Sequence, residues 1–336
     1  MRMEMKKKFV LGVPAVLALI CLLFASGPRI DLSGEMRPVE LPRDLSGLDD
    51  FFAAKEAPYA NLVPGTERGV VWYREKRQKT PLALVYIHGF SASRREISPV
   101  MERLAEDMGA NVFFARLGGH GLGPDGFKGL RVSDWMDDLS EALAVGHAIG
   151  ESVIVVATST GAALAVWAVS KGACIDGLVL VSPNFRPANR AAGLIAWPWG
   201  RLWVRLLVGE YRQFTPLSEE QARYWTWKQH TDGLFAMMGA VLLAEGADLS
   251  KVTLPTLMLY TERDDVVSLP EARDAFKRLG SESKEIRCIT NGCDHILAGS
   301  ATCPATVDEV RERWISSGRV HKAGGSSVDG AEEAKT

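Results

Sequence analysis

The chain has 336 residues, 47% of them hydrophobic and 24% charged, a balance that excludes a disordered or collagen-like polypeptide. Lys and Arg number 39 against 41 Asp and Glu, for a net charge of -2. A protein that grips nucleic acid through its phosphates carries a clear positive excess, so nucleic acid is not expected as a partner.

Residues 1–28 read as an export segment. Arg2, Lys6, Lys7 and Lys8 precede an uncharged apolar run from Phe9 to Gly27. A basic flank followed by such a run is the pattern of a signal peptide or signal anchor. The run is about 19 residues, long enough for a helix to cross a hydrocarbon core. A cut after Ala25-Ser26-Gly27 would leave Pro28 beside the broken bond, and Cys21 follows Ile20 rather than a small residue. An uncleaved membrane anchor is therefore preferred over a cleaved signal. Either one exports the rest of the chain to a periplasmic or extracellular site, tethered or secreted.

Export bears on the cysteines. Cys21 lies in the apolar run, which leaves Cys174, Cys288, Cys293 and Cys303, an even number suited to an oxidising compartment. Cys293–Cys303 and Cys288–Cys293 are both open pairings, as are buried free thiols. No CxxC or Cys/His cluster has zinc-ligand spacing, so no metal is expected.

Residues 29–69 are rich in Pro, Gly and Asp without a period and read as a spacer wrapping onto a domain. The stretch 316–336 is small and polar and is expected to be disordered. Between them, strand-like apolar runs recur at 70–74, 82–87, 111–115, 153–157, 178–182, 256–260 and 285–290. Several are continuously apolar, as strands covered on both faces should be. Helix-like stretches fall near 96–108, 134–149, 160–171, 270–280 and 305–315. This alternation predicts an α/β fold with a mostly parallel, doubly wound sheet. The interval 187–250 has no strand candidate and reads as an inserted helical cap. Its aromatics, among them Trp197, Trp199, Trp203, Trp225 and Trp227, either form a small core of their own or line an apolar pocket under a lid.

The chemistry gathers at three strand ends. The run VIVVA leads into Thr158-Ser159-Thr160-Gly161 and then a helix-like segment. A serine at a sharp strand-to-helix turn is lifted above the sheet edge, and small neighbours are needed because the turn is strained. The pattern G-x-S-x-G has Ala157 in its first position here. A hydrolase of this kind needs an acid and then a histidine later in the chain. Asp264-Asp265 follows one strand and Asp294-His295 follows the next, at the C-terminal ends where α/β sites form. Only His295 and His321 come after Asp264, and His321 lies in the polar tail. The run LALVYI ends in His88-Gly89-Phe90-Ser91, where the Phe90 amide can join that of Thr160 as an oxyanion hole. His88 is expected to shape this turn rather than to take part in the chemistry.

These marks resemble the α/β-hydrolase family, and within it the bacterial carboxylesterases, monoacylglycerol lipases and lysophospholipase-like serine hydrolases. They are His88-Gly89-Phe90, Arg116-Leu117-Gly118-Gly119-His120-Gly121, Trp135 with Asp138, Thr158 to Gly161, Asp264-Asp265-Val266-Val267 and Asp294-His295. The resemblance covers roughly residues 70–315. The resemblance implies an eight-stranded type of core, 70–186 and 251–315, with the cap at 187–250 inserted after the sixth strand. It implies Asp264 rather than Asp265 as the acid. Ser159, His295 and Asp264 would then cleave a carboxylic ester, such as a monoglyceride, a lysolipid or another small to medium acyl ester, through an acyl-enzyme, with no cofactor. Arg116, Trp135 and the glycine-rich loop at 118–121 are expected to be structural. Two alternatives remain open at this level. One is a peptidase or another C–N or C–C hydrolase, because the cap and not the triad selects the substrate. The other is a non-catalytic binding protein on the same fold, which only Ala157 supports.

Overall fold

The computed structural model describes residue 14 and residues 16–74, 77–290 and 293–315. The polar tail and the basic flank of the apolar run lie outside the described residues. Among the described residues nine strands occur: β1 (Gly69–Val71), β2 (Thr80–Ile87), β3 (Asn111–Phe114), β4 (Gly150–Thr158), β5 (Gly177–Val181), β6 (Tyr211–Gln213), β7 (Lys228–His230), β8 (Thr256–Tyr260) and β9 (Lys284–Cys288). Seven form one sheet in the order β1-β3-β2-β4-β5-β8-β9. All pairings in it are parallel except β1 with β3. The expected eight-stranded core is thus seven-stranded among the described residues.

The helices are α1 (Leu48–Glu56), α2 (Val100–Met108), α3 (Val132–Ile149), α4 (Thr160–Ser170), α5 (Gly200–Leu207), α6 (Glu219–Tyr224), α7 (Asp232–Glu245), α8 (Leu269–Arg278) and α9 (Val307–Ile315). The central strands alternate between two buried layers. In β2, Ala83, Val85 and Ile87 join a core shared with α3, α4, α7 and α8. Leu84 and Tyr86 join the opposite core with α2 and α9. With helices on both faces, neither side of the strand meets water, which is why the run is apolar throughout.

The interval 187–250 departs from expectation in two ways. It contains an antiparallel ribbon, with Tyr211 opposite His230 and Gln213 opposite Lys228. Three-residue strands of mostly polar side chains carry no apolar alternation, so no strand signal was available there. Nor do its aromatics form one small core. α7 buries Leu234, Phe235, Met237, Met238 and Val241 in the main core beside α4. Trp225 is buried against Ala92 and Ala301. Trp197, Trp199, Trp203 and Trp227 all remain at least a third exposed.

The described part of the N-terminal apolar run is helical over 16–25. It meets the cap: the Trp199 indole N–H donates to the Leu23 carbonyl at 3.0 Å, and the Phe24 ring stands edge-on to Trp197. Among the described residues, no helix is long and apolar enough to cross a membrane.

Candidate active site

The chain passes from β2 to β3 on one side and returns through α3 to β4 on the other. The loops leaving β2 and β4 therefore diverge and open a crevice, the place where doubly wound sheets bind ligands. Ile87 pairs with Ala157, so the His88 loop and Ser159 emerge side by side.

Ser159 lies between β4 and α4 with φ 52° and ψ -116°, a region that L-residues rarely occupy. Its N–H donates to the Val181 carbonyl at 2.9 Å. Its own carbonyl accepts the amides of Ala162 and Asn184, each at 3.0 Å. These bonds aim the side chain out of the sheet edge. Gly161 makes the turn possible, because a Cβ there would lie 2.5 Å from the Ile87 carbonyl oxygen and 2.6 Å from that of His88. Ala157 occupies an ordinary strand position, fully buried and in register with both Ile87 and Leu180. Its methyl packs in the core with those two residues, so no glycine is required there.

Asp264 and His295 come together directly. His295 Nδ1 lies 2.8 Å from Asp264 Oδ2, and the Asp264 side chain is only 3% exposed. The other carboxylate oxygen accepts the amides of Val266 and Val267 at 3.0 Å each, so the acid is fixed from both ends. Asp265 points to solvent. A disulfide joins Cys293 to Cys303, with Cα atoms 5.7 Å apart, and closes the loop that carries His295. Cys21, Cys174 and Cys288 are unpaired. Ser159, at the end of β4, borders the loop that leaves β2. A Cβ on Gly89 would sit 3.1 Å from Ser159 Cβ and 3.3 Å from Glu96 Oε2. Among the described residues no hydrogen bond joins the Ser159 hydroxyl to His295.

The amides of Phe90 and Thr160 flank the serine, and neither has an acceptor among the described residues. The next amide, Ser91 N–H, donates to His120 Nε2 at 3.0 Å. Leu117 N–H donates to His88 Nε2 at 3.1 Å. Both rings therefore carry their proton on Nδ1, where His88 meets the Gly89 carbonyl and His120 that of Leu117, each at 2.9 Å. Burial pushes His88 down to about 4 and His120 well below the usual imidazole value. Two neutral rings thus pin the β2 loop to the β3 loop.

Arg116 is 1% exposed. It forms an ion pair with Glu56, and its Nη1 donates to the His120 carbonyl at 3.2 Å. Glu56 also binds Arg68, which is paired in turn with Glu141 and Asp138. Asp138 accepts the Gly118 amide at 2.6 Å, and the Trp135 indole donates to the Gly118 carbonyl at 2.9 Å. Arg116, Trp135 and the loop at 118–121 are thus held by contacts within the protein.

A sequence model of the family described as serine aminopeptidase, S33, matches residues 78–299. The chain belongs to this family. A thermostable monoacylglycerol lipase from Bacillus sp. (strain H-257) is 22% identical over 213 residues, covering 63% of this chain and 82% of that one. Among solved structures, a metagenome-derived lipolytic enzyme from the work on LipS and LipT superposes with a TM-score of 0.63 at 19% identity, over 78% of this chain and 99% of its own. A soluble variant of the Saccharomyces cerevisiae monoglyceride lipase, in complex with a substrate analogue, gives 0.60 at 13% identity, over 80% and 98%. At these identities the likeness is one of fold, and the fold is that of the α/β-hydrolases.

Two cavities border the cap of this hydrolase. One, of about 220 Å³, is lined by Val63, Gly123, Tyr224, Trp225, Trp227 and Lys228. The other, of about 120 Å³, lies between the N-terminal spacer and the cap, against Ile30, Trp197 and Phe235. Some cap aromatics therefore line apolar space. The sequence reading missed Glu96, a fully buried acid beside the crevice, because it stands where a helix was expected to begin and looks like a solvated first-turn charge. It also missed Glu56, which falls in the presumed spacer.

The Gly161 contacts carry a direct test. Gly161→Ala forces a methyl against two backbone carbonyls that cannot swing away. It should destabilise the fold by about 1–3 kcal/mol, read from urea midpoints. An unchanged midpoint would contradict the close approach.

Proposed function

We propose that this chain is a serine hydrolase of carboxylic esters that works through Ser159, His295 and Asp264. The observation that carries this reading is the 2.8 Å bond between His295 Nδ1 and a buried Asp264 carboxylate, at the sheet edge where Ser159 stands on a strained turn. With Nδ1–H donating to Asp264, the other ring nitrogen is left as a base for the Ser159 hydroxyl. Hydroxyl and base are often loosely aligned before substrate arrives.

The cycle has two halves. His295 takes the proton of Ser159 as its Oγ bonds to the ester carbonyl carbon. The carbonyl oxygen becomes an oxyanion held by the Phe90 and Thr160 amides, each worth about 2.7–4 kcal/mol in such sites. His295 then protonates the departing alkoxide as the ester C–O bond breaks. Water, deprotonated by the same ring, attacks the acyl-enzyme and releases the acid, and the proton returns to Ser159. Asp264 orients the ring and stabilises its cation. No step needs a metal or an organic cofactor.

The substrate class is a lipid ester, such as a monoglyceride or lysolipid. The monoacylglycerol lipases among the relatives support this, as does the surface of the cap. α5 buries Gly200 and Val204 but exposes Leu202 at 49%, Leu206 at 69% and Leu207 at 76%. Exposed Val16, Leu19, Ile20 and Leu23 continue the patch through the Trp199 contact. Arg201 and Arg205 lie on the same helix and are more than half exposed. An apolar face with basic neighbours suits a helix lying at a membrane surface. The basic flank and apolar run at the N-terminus, and the disulfide beside His295, support membrane association on the exported side. The family description favours peptide bonds as a second reading.

Ser159→Ala should abolish p-nitrophenyl ester turnover while the urea midpoint is kept. A chain-length series of esters should outrun aminoacyl p-nitroanilides; turnover surviving in Ser159→Ala, or anilides preferred, would overturn the assignment. A double change, Leu206→Lys with Leu207→Lys, should lower hydrolysis of a long-chain monoglyceride presented in phosphatidylcholine vesicles and spare soluble p-nitrophenyl acetate. Equal rates on the vesicles would refute the membrane face.

A further inference from the structure

Glu96 ends the short turn Arg94–Glu96 that follows the oxyanion loop. It is 3% exposed and takes no part in the cycle above. Its Oε1 accepts the Gly89 N–H at 2.5 Å and the Tyr86 hydroxyl at 2.8 Å. The Tyr86 oxygen lies a further 2.8 Å from Thr158 Oγ1. Since the tyrosine proton goes to Glu96, that oxygen accepts from the threonine. One carboxyl thus grips the residue before the Phe90 amide and, through Tyr86, the residue before Ser159.

The same side chain borders the rest of the crevice. Its Oε2 faces the space at Gly89 that Ser159 Cβ also borders. The loop carrying His295 returns across its backbone: Gly299 has φ +125°, and a Cβ there would lie 2.2 Å from the Glu96 carbonyl oxygen. Ser300 N–H donates to the Ser98 carbonyl at 2.9 Å. Burial pushes the Glu96 carboxyl up to about 7, although the bonds from Gly89 and Tyr86 and the charge of His295 act the other way. Burying a carboxyl is unfavourable, and a neutral side chain would fill the space more readily. What a carboxyl adds is an oxygen that receives two donors at once, one from β2 and one from the loop that leaves it, with β4 reached through Tyr86 and Thr158.

We propose that Glu96 is a positioning residue for acyl transfer, its Oε1 holding Gly89 N–H and Tyr86 O–H so that the Phe90 amide and Ser159 keep their separation. The proposal rests on the ester-hydrolase reading. It differs from a purely structural role, because the geometry it sets matters to the oxyanion and little to the bound ester.

The test compares kcat and KM for p-nitrophenyl acetate, and the rate of fluorophosphonate labelling of Ser159, in the full chain. Glu96→Ala should lower kcat by about 10- to 100-fold, with labelling slowed in parallel and KM within about twofold. Glu96→Gln keeps the acceptor oxygen and should recover kcat to within about fivefold of the parent. If Glu96→Ala does not fold, Tyr86→Phe carries the test, with kcat down about threefold or more and KM kept. Parental kcat in a folded Glu96→Ala, no recovery in Glu96→Gln, or parental kcat in Tyr86→Phe would overturn the proposal while leaving the ester reading intact. A parent chain that neither labels nor turns over ester would overturn both.

Discussion

Ser159 sits at φ 52° and ψ -116°, and three backbone hydrogen bonds, to Val181, Ala162 and Asn184, hold it there. Isolated, that conformation is unfavourable by roughly 1–3 kcal/mol. It persists because β4, β5 and α4 meet at this residue, and because Gly161 lets the helix start against the Ile87 and His88 carbonyls. The rest of the site follows from this turn. It lifts the hydroxyl above the sheet edge, directs the Thr160 amide toward the same space, and faces the loop from β2, the strand paired with β4.

The loops around the serine are held by groups that avoid water at some expense. His88 and His120 are buried as neutral rings with both nitrogens bonded. Behind them, Arg116, Arg68, Glu56, Glu141 and Asp138 form a continuous ion network. Removing one member of a buried pair of this kind costs about 3–5 kcal/mol. Such a network gives less net stability than apolar residues of the same volume, yet it fixes backbone carbonyls and amides in direction. That direction is what the Gly118–Gly121 loop and the neighbouring β2 loop require. The disulfide at Cys293–Cys303 and the two amides on Asp264 do the same for His295 and Asp264.

Much of this was legible in the sequence. The apolar runs marked the seven strands of the main sheet, because a strand covered on both faces has to be apolar along its length. The sequence set a serine, an acid and a histidine at the ends of three strands, and the structure joins His295 to Asp264 rather than to Asp265. What was not legible depends on contacts between distant segments. Glu96 and Glu56 are charged residues in stretches that look solvated, and only tertiary packing buries them. The ribbon at 211–213 and 228–230 is too short and too polar to leave a period. α7 reads as part of a lid but is apolar on all sides, as a helix sunk in the main core must be. The departure at Ala157 also resolved only in three dimensions, where the strand register places its methyl in the core.

The arrangement has a chemical logic. Strand ends supply rigid positions, and the short loops and turns that follow them carry Ser159, Asp264 and His295. In the proposed function, substrate preference is assigned to the 187–250 segment and its exposed α5 face. The proposed reaction is assigned to the sheet edge, where one oxyanion would meet two amides and one imidazole at once. The most direct measurement is a crystal structure of the chain after reaction with a fluorophosphonate. The account predicts phosphorus bonded to Ser159 Oγ, a phosphoryl oxygen about 2.7–3.1 Å from the Phe90 and Thr160 nitrogens, and the free nitrogen of the His295 ring turned toward the adduct. An adduct on another residue, or a phosphoryl oxygen turned away from both amides, would contradict it.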